Sequence, residues 1–201
     1  KHKKKVKAIN SHFLYTNLNY YKLSFPETYH KLEKTYLEVI KETDSEYITY
    51  HDEPIKAFIH LASNGYTETH PVYKYLKKKE CLWDLAYPYY LQQNYFTSNE
   101  IRKKLKLQDE VIQFEIKKVT DANRVLELRA NDRILTSQEL MVYLNLPSSD
   151  ITILVDNKGF NFITRGIGNG YGLSMIGANS LALLGCNYKQ ILGYFFDDVV
   201  L

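Results

Sequence analysis

An α+β fold, with mixed and antiparallel strands and short helices in a single compact domain, follows from three features of the 201-residue sequence. Strand-like and helix-like segments are interspersed without a strand–helix–strand rhythm, which argues against a doubly wound parallel sheet. Capping boxes and a glycine-bearing hairpin turn punctuate the chain. Hydrophobic residues make up 45% and charged residues 24%, the balance of a globular domain rather than a disordered one. A chain of this length buries roughly 70% of its unfolded surface, enough for a core without staples. We therefore expect one domain over residues 1–201, with 97–150 as a candidate small lobe.

Taken in order, Lys1, Lys3, Lys4 and Lys5 form a short basic start that reads as a solvated end. Residues 29–42 place Leu32, Tyr36, Val39 and Ile40 on one helical face, after the stop-start signal Pro26. Tyr47, Ile48 and Tyr50 precede the polar turn His51-Asp52-Glu53-Pro54, and Ile55 to Leu61 reads as a returning strand. Ser63 to Trp83 is irregular and polar, the kind of long loop that often carries function. Thr97 with Glu100 makes a capping box before a short helix holding Ile101 and Leu105. Val111 to Val119 and Arg124 to Ala130 read as strands joined at Thr120-Asp121-Ala122-Asn123. Thr136 with Glu139 opens a second capped helix that ends near Leu146-Pro147. Ile151–Val155 and Phe160–Ile163 flank Asp156-Asn157-Lys158-Gly159, which has hairpin turn chemistry. A helix through Leu181 to Leu184 is terminated by Gly185, and Asn187 caps a last helix with apolar face Tyr188, Ile191, Leu192 and Phe195.

Composition narrows function by exclusion. A net charge of +3 is too mild for a nucleic-acid binder. No apolar run approaches the roughly 18 residues that span a bilayer. Cys81 and Cys186 make neither a disulfide framework nor a metal-ligand spacing. The chain begins at Lys1 rather than Met; any signal peptide or membrane anchor would lie before it, and its absence here says nothing about localisation. Tyrosines number 18 against one tryptophan; their faces stack on sugars, although half-buried packing is their commoner role.

The segment Arg165-Gly166-Ile167-Gly168-Asn169-Gly170-Tyr171-Gly172-Leu173-Ser174 carries a glycine at every second position. Glycines at this density permit positive φ and close approach of the backbone to a ligand or a neighbouring strand. It is not a dinucleotide fingerprint, because Tyr171 stands where the third glycine belongs, and no Gly-Lys-Ser/Thr makes it a phosphate loop.

This segment, continued through Met175-Ile176-Gly177-Ala178 and then Gly185, Tyr188, Ile191 and Leu192, resembles the C-terminal signature of the stage II sporulation protein D family. That signature runs G-R-G-x-G-H-G-x-G-M-S-Q-x-G-A, then G-x-x-Y-x-x-I-L. Upstream, Ala57-Phe58-Ile59-His60-Leu61-Ala62-Ser63-Asn64-Gly65-Tyr66-Thr67-Glu68 is similar to the family's A-F-Y-H-S-x-S-G-G-x-T-E. Val39 to Thr43 and Leu135 to Leu140 add matches in the same order, so the resemblance covers residue 30 to the end. It implies an extracytoplasmic protein of an endospore-forming bacterium, membrane-anchored or secreted, that acts on peptidoglycan glycan strands as a lytic transglycosylase during engulfment. Such a reaction needs one carboxyl group, which protonates the glycosidic oxygen and then, as a base, helps the muramic acid 6-hydroxyl attack its own anomeric carbon. Paired carboxylates are unnecessary because the nucleophile belongs to the substrate.

Several positions depart from the family pattern. The family's catalytic glutamate lies in an E-M-P segment before a K-A-Q helix, matched here by Lys7-Ala8-Ile9; that segment would fall before Lys1, and Glu27 is not promoted in its place. Asn169 replaces the loop histidine and Met175 the glutamine. Family members with a structural zinc use a Cys/His cluster where this chain has only His30, so no metal is expected, and no cofactor. The resemblance makes Arg165, Asn169, Ser174, His60, Ser63 and Thr67 the candidate glycan contacts, on a framework of Gly65, Gly166, Gly168, Gly170 and Gly172. An inert relative that binds glycan, or that recruits or enhances a cell-wall amidase, is the alternative reading.

Overall fold

The computed structural model describes residues 22–201. The basic start and Lys7-Ala8-Ile9 lie outside the described residues. The chain falls into two compact units, residues 1–47 and 48–201. The first contributes α1 (Pro26–Glu42), whose N-terminal proline has its φ already set for a helix.

The second unit opens with a two-stranded hairpin, β1 (Thr49–Tyr50) and β2 (Glu53–Pro54), closed by His51 and Asp52 at positive φ. The returning strand expected over Ile55–Leu61 is only partly formed. The Tyr75 hydroxyl donates to Lys56 O at 3.2 Å and accepts from Lys56 N at 3.0 Å, taking the place of ladder partners. Regular pairing resumes only at β3 (Ile59–His60). Residues 61–81 hold isolated bridges, and a 3-10 turn follows at Leu82–Ala86.

β4 (Leu91–Thr97) leads directly into α2 (Ser98–Leu105). β5 (Phe114–Val119), β6 (Val125–Ala130) and β7 (Arg133–Thr136) form an antiparallel sheet in chain order. α3 (Ser137–Leu144) follows, then β8 (Asp150–Val155) and β9 (Gly159–Arg165). β9 is the central strand of a second antiparallel sheet, between β4 and β8. Both capping boxes form as expected: Thr97 and Thr136 accept from the amides of Glu100 and Glu139, whose carboxylates reach back. The two helices press Ile101, Leu105 and Leu140 onto Leu128, Leu135 and Phe162, all fully buried. β10 (Leu173–Ser174), α4 (Met175–Leu183) and α5 (Tyr188–Phe195) close the chain. Here the core is Tyr75, Leu76, Cys81, Ile191, Phe195 and Phe196. Among the described residues no helix is long and apolar enough to cross a membrane.

Candidate functional site

The two segments singled out in the sequence lie edge to edge. β10 pairs in parallel with β3, Leu173 opposite Ile59 and Ser174 opposite His60. Two bridges after β3 and before β10 extend the contact, Ala62 with Ile167 and Glu68 with Tyr171, through Ile167 N–H to Ala62 O at 2.7 Å and Glu68 N–H to Gly170 O at 2.9 Å. Alternating glycines make this approach possible. A Cβ on Gly172, at φ +71, would stand 2.2 Å from the Phe58 carbonyl oxygen, and one on Gly170, at φ +81, 2.4 Å from the Arg124 guanidinium.

An acid unmarked in the sequence clamps the junction. Asp84 has no exposed surface, and its Oδ2 accepts from the Ser63 amide at 2.6 Å and the Ser174 hydroxyl at 2.8 Å. Burial pushes this carboxyl above its usual range, against the hydrogen bonds that hold it down. The hydroxyls expected to face sugar are thus spent inside the fold. Ser174 caps α4 by accepting from Gly177 N, Ser63 accepts from Gly65 N, and Thr67 bonds Lys77 O and Lys79 N.

His60 is buried too. Its Nδ1–H donates to Tyr171 O at 3.1 Å, and Nε2 has no partner among the described residues. Burial, aided by the nearby Arg124 charge, pushes its pKa from 6.5 down to about 4. The unfolded chain therefore binds more protons between these values, so the stability this site contributes is full above pH 6.5 and lost as pH falls through about 4. His60→Asn keeps a donor for Tyr171 and removes the titration. It is expected to flatten the loss of urea resistance across that window; an unchanged pH profile contradicts the assignment.

Below the junction runs a chain of buried charges. Arg124, 2% exposed, donates from Nη1 to Ser148 Oγ at 3.2 Å and from Nη2 to Asn64 Oδ1 at 3.1 Å, and its Nε lies 3.2 Å from Glu68 Oε1. The Thr120 hydroxyl donates to the same Glu68 oxygen at 2.7 Å. Burial nevertheless holds the Glu68 carboxyl above its usual range. Asn64 passes the chain on to Asp150 Oδ2 at 2.7 Å, and Asp150 Oδ1 accepts from Arg165 Nη1 at 3.1 Å.

Two clefts open on this network. One, of about 310 Å³, sets the carboxyl, hydroxyl, amide and phenol groups of Glu68, Ser149, Gln138, Asn169 and Tyr171 beside the apolar side chains of Val125, Leu126 and Met141, a mixture that suits a sugar with polar edges and apolar faces. The other, of about 370 Å³, is lined by Asn64, Tyr66, Asn123, Asp150 and Arg165 beside aliphatic side chains. Asn169 and Arg165 therefore serve different clefts. Asn169 is exposed, and its Oδ1 accepts from Tyr171 N at 3.0 Å. Glu68 and Asn64 lie in a matched motif without having been singled out, whereas Arg124 and Asp84 carry no sequence signal: their burial depends on partners up to 90 positions away. Among the described residues no group of three or more His, Cys, Asp or Glu side chains is placed to hold a metal ion.

No protein-family model matches the chain. It is 30% identical over 174 residues to the stage II sporulation protein D of Bacillus subtilis (strain 168), a match that takes in 83% of this chain and 50% of that protein. It is 29% identical over 175 residues to the protein of the same name from Bacillus amyloliquefaciens, with the same shares. The chain belongs to the stage II sporulation protein D family. It spans about half the length of the curated relatives it matches. In this family member, the two motif segments that carry the resemblance are the two that zip together at β3 and β10.

Proposed function

We propose that the chain is part of a sporulation cell-wall protein and holds a peptidoglycan glycan strand in the cleft between Glu68 and Tyr171. The observation that carries this reading is the junction itself: the two family segments pair edge to edge and bring Glu68, Asn169 and Tyr171 to one cleft. In that cleft the Ser137 and Ser149 hydroxyls and the Gln138 and Asn169 amides offer hydrogen bonds to sugar hydroxyl and acetamido groups. The Tyr171 ring offers a stacking face, backed at 4.8 Å by His70. Arg124 and Glu68 hold the floor rigid.

The reaction that goes with family membership is lytic transglycosylation of the bond between N-acetylmuramic acid and N-acetylglucosamine. One carboxyl donates its proton to the glycosidic oxygen as the C1–O bond breaks. The muramic 6-hydroxyl then bonds to C1, its proton returns to the carboxylate, and a 1,6-anhydro end forms without water. The compartment implied is extracytoplasmic, in an endospore-forming bacterium. Asn169 and Met175, in place of a histidine and a glutamine, favour a second reading in which the strand is bound without cleavage, or a cell-wall amidase is recruited.

Incubation of purified sacculi with the protein tests the proposal. Retention of the protein on peptide-free glycan is expected, with 1,6-anhydro ends in the digest by mass spectrometry if it cleaves. Retention without anhydro ends supports the binding reading. No retention at low salt overturns both glycan readings and leaves amidase recruitment.

A further inference from the structure

The second cleft combines an aliphatic wall with a polar rim. Its walls are aliphatic: Ile116 and Val119 are half-exposed there, with Val125 and Ile151 behind them. Its polar rim is rich in unspent donors. Arg165 uses only Nη1, on Asp150 Oδ1 at 3.1 Å and Thr152 Oγ1 at 3.0 Å, and its side chain remains 37% exposed. Nε and Nη2 of Arg165, the Tyr66 hydroxyl and the Asn123 side-chain amide have no hydrogen bond among the described residues. The one carboxylate of the rim is already engaged, since Asp150 gives one oxygen to Arg165 and the other to Asn64. Lys78 adds positive potential, its Nζ lying 4.6 Å from the centre of the Tyr66 ring.

A guanidinium with a free edge, flanked by a phenol and an amide over an aliphatic wall, matches an acceptor-rich planar group on an apolar body. We propose that this cleft binds a small organic carboxylate with an aliphatic body, of the kind presented by the free carboxyl end of a short peptide. The carboxylate takes the Nε/Nη2 edge of Arg165 bidentately, Tyr66 and Asn123 close over it, and the aliphatic side chain lies against Ile116 and Val119. This is a site apart from the glycan cleft and does not rest on the glycan reading.

Calorimetric titration with N-acetyl-alanyl-alanine and with its C-terminal amide, followed by amide-shift mapping, tests it. The acid is expected to bind at least tenfold more tightly than the amide and to move resonances of Asn123, Thr152 and Arg165. Arg165→Gln is expected to weaken binding at least tenfold, Arg165→Lys less, and Tyr66→Phe severalfold while leaving the ring beside Lys78 in place. Equal affinity for acid and amide, no measurable binding, shifts confined to Asn169 and Tyr171, or displacement of the peptide by N-acetylglucosamine oligomers would overturn it. A wild-type protein retained on peptide-free glycan yet indifferent to the peptide acid defeats this inference alone.

Discussion

Arg124→Ala is expected to lower the unfolding free energy by about 3–5 kcal/mol, the usual consequence of removing one partner from a buried ion pair. The side chain is 2% exposed, so its partners are met by protein groups rather than by bulk water. Removing it leaves Glu68 buried against the Thr120 hydroxyl alone and strips donors from Ser148 Oγ, Asn64 Oδ1 and the Tyr66 carbonyl. It also leaves a void under Gly170, whose backbone packs directly on the guanidinium. Arg124→Lys is expected to recover little, because an ammonium cannot reach Glu68, Ser148 and Asn64 together. Urea titration of each variant measures the loss. Combined with Glu68→Gln, Arg124→Met should cost less than the two single changes together, because each alone strands its partner. A loss under 1 kcal/mol for Arg124→Ala, or strict additivity in the pair, would show that the network does not hold the floor.

Gly172→Ala is the second large effect expected, about 2–5 kcal/mol. Positive φ costs a residue with a Cβ about 1–2 kcal/mol, and forcing an atom into a filled space adds about 1–3 kcal/mol. The obstacle here is backbone: the new Cβ would stand 2.2 Å from Phe58 O and 2.9 Å from Phe58 C, inside the pairing of β10 with β3. Relief requires the two segments to part, so glycan retention should fall with stability. Gly185→Ala is the control. It also sits at positive φ, +92, but nothing lies within 4 Å of the added carbon, so it should show the conformational cost alone. Equal losses at the two positions would mean that the close approach contributes nothing.

What could be read from the sequence was what local rules govern. Thr97 with Glu100, Thr136 with Glu139, and Asn187 each start a helix because a side-chain oxygen three residues before an amide is a complete local device. The Asp156–Gly159 turn worked for the same reason, Asp156 Oδ1 accepting from the amides of Lys158 and Gly159. β4 escaped notice because Gln92, Gln93 and Asn94 mask its alternation, although seven of its residues pair with β9. β7 is four residues long and runs straight into a cap, so its signal merged with that of α3.

The site was legible to the same extent. Motif order placed the two segments that meet, and alternating glycines pointed to a close approach, here to backbone at Gly166 and Gly172 and to the His60 and Arg124 side chains at Gly168 and Gly170. Which side chains face the cleft was not legible, because Ser63, Thr67 and Ser174 are as well suited to capping a turn as to touching a sugar, and tertiary context spends them on backbone and on Asp84. Arg124 looked like any charged residue at the start of a strand. Only the fold shows it buried beneath the glycine loop.

The most direct test is to follow backbone amide shifts of the labelled protein during titration with peptide-free oligomers of the murein disaccharide. Shifts are predicted to gather at Gln138, Ser149, Asn169, Gly170 and Tyr171, where the paired segments face the first cleft. Saturating oligomer that leaves these amides unmoved, or shifts that gather only on α1 or on the outer strands β5 and β7, would contradict a glycan site at the junction.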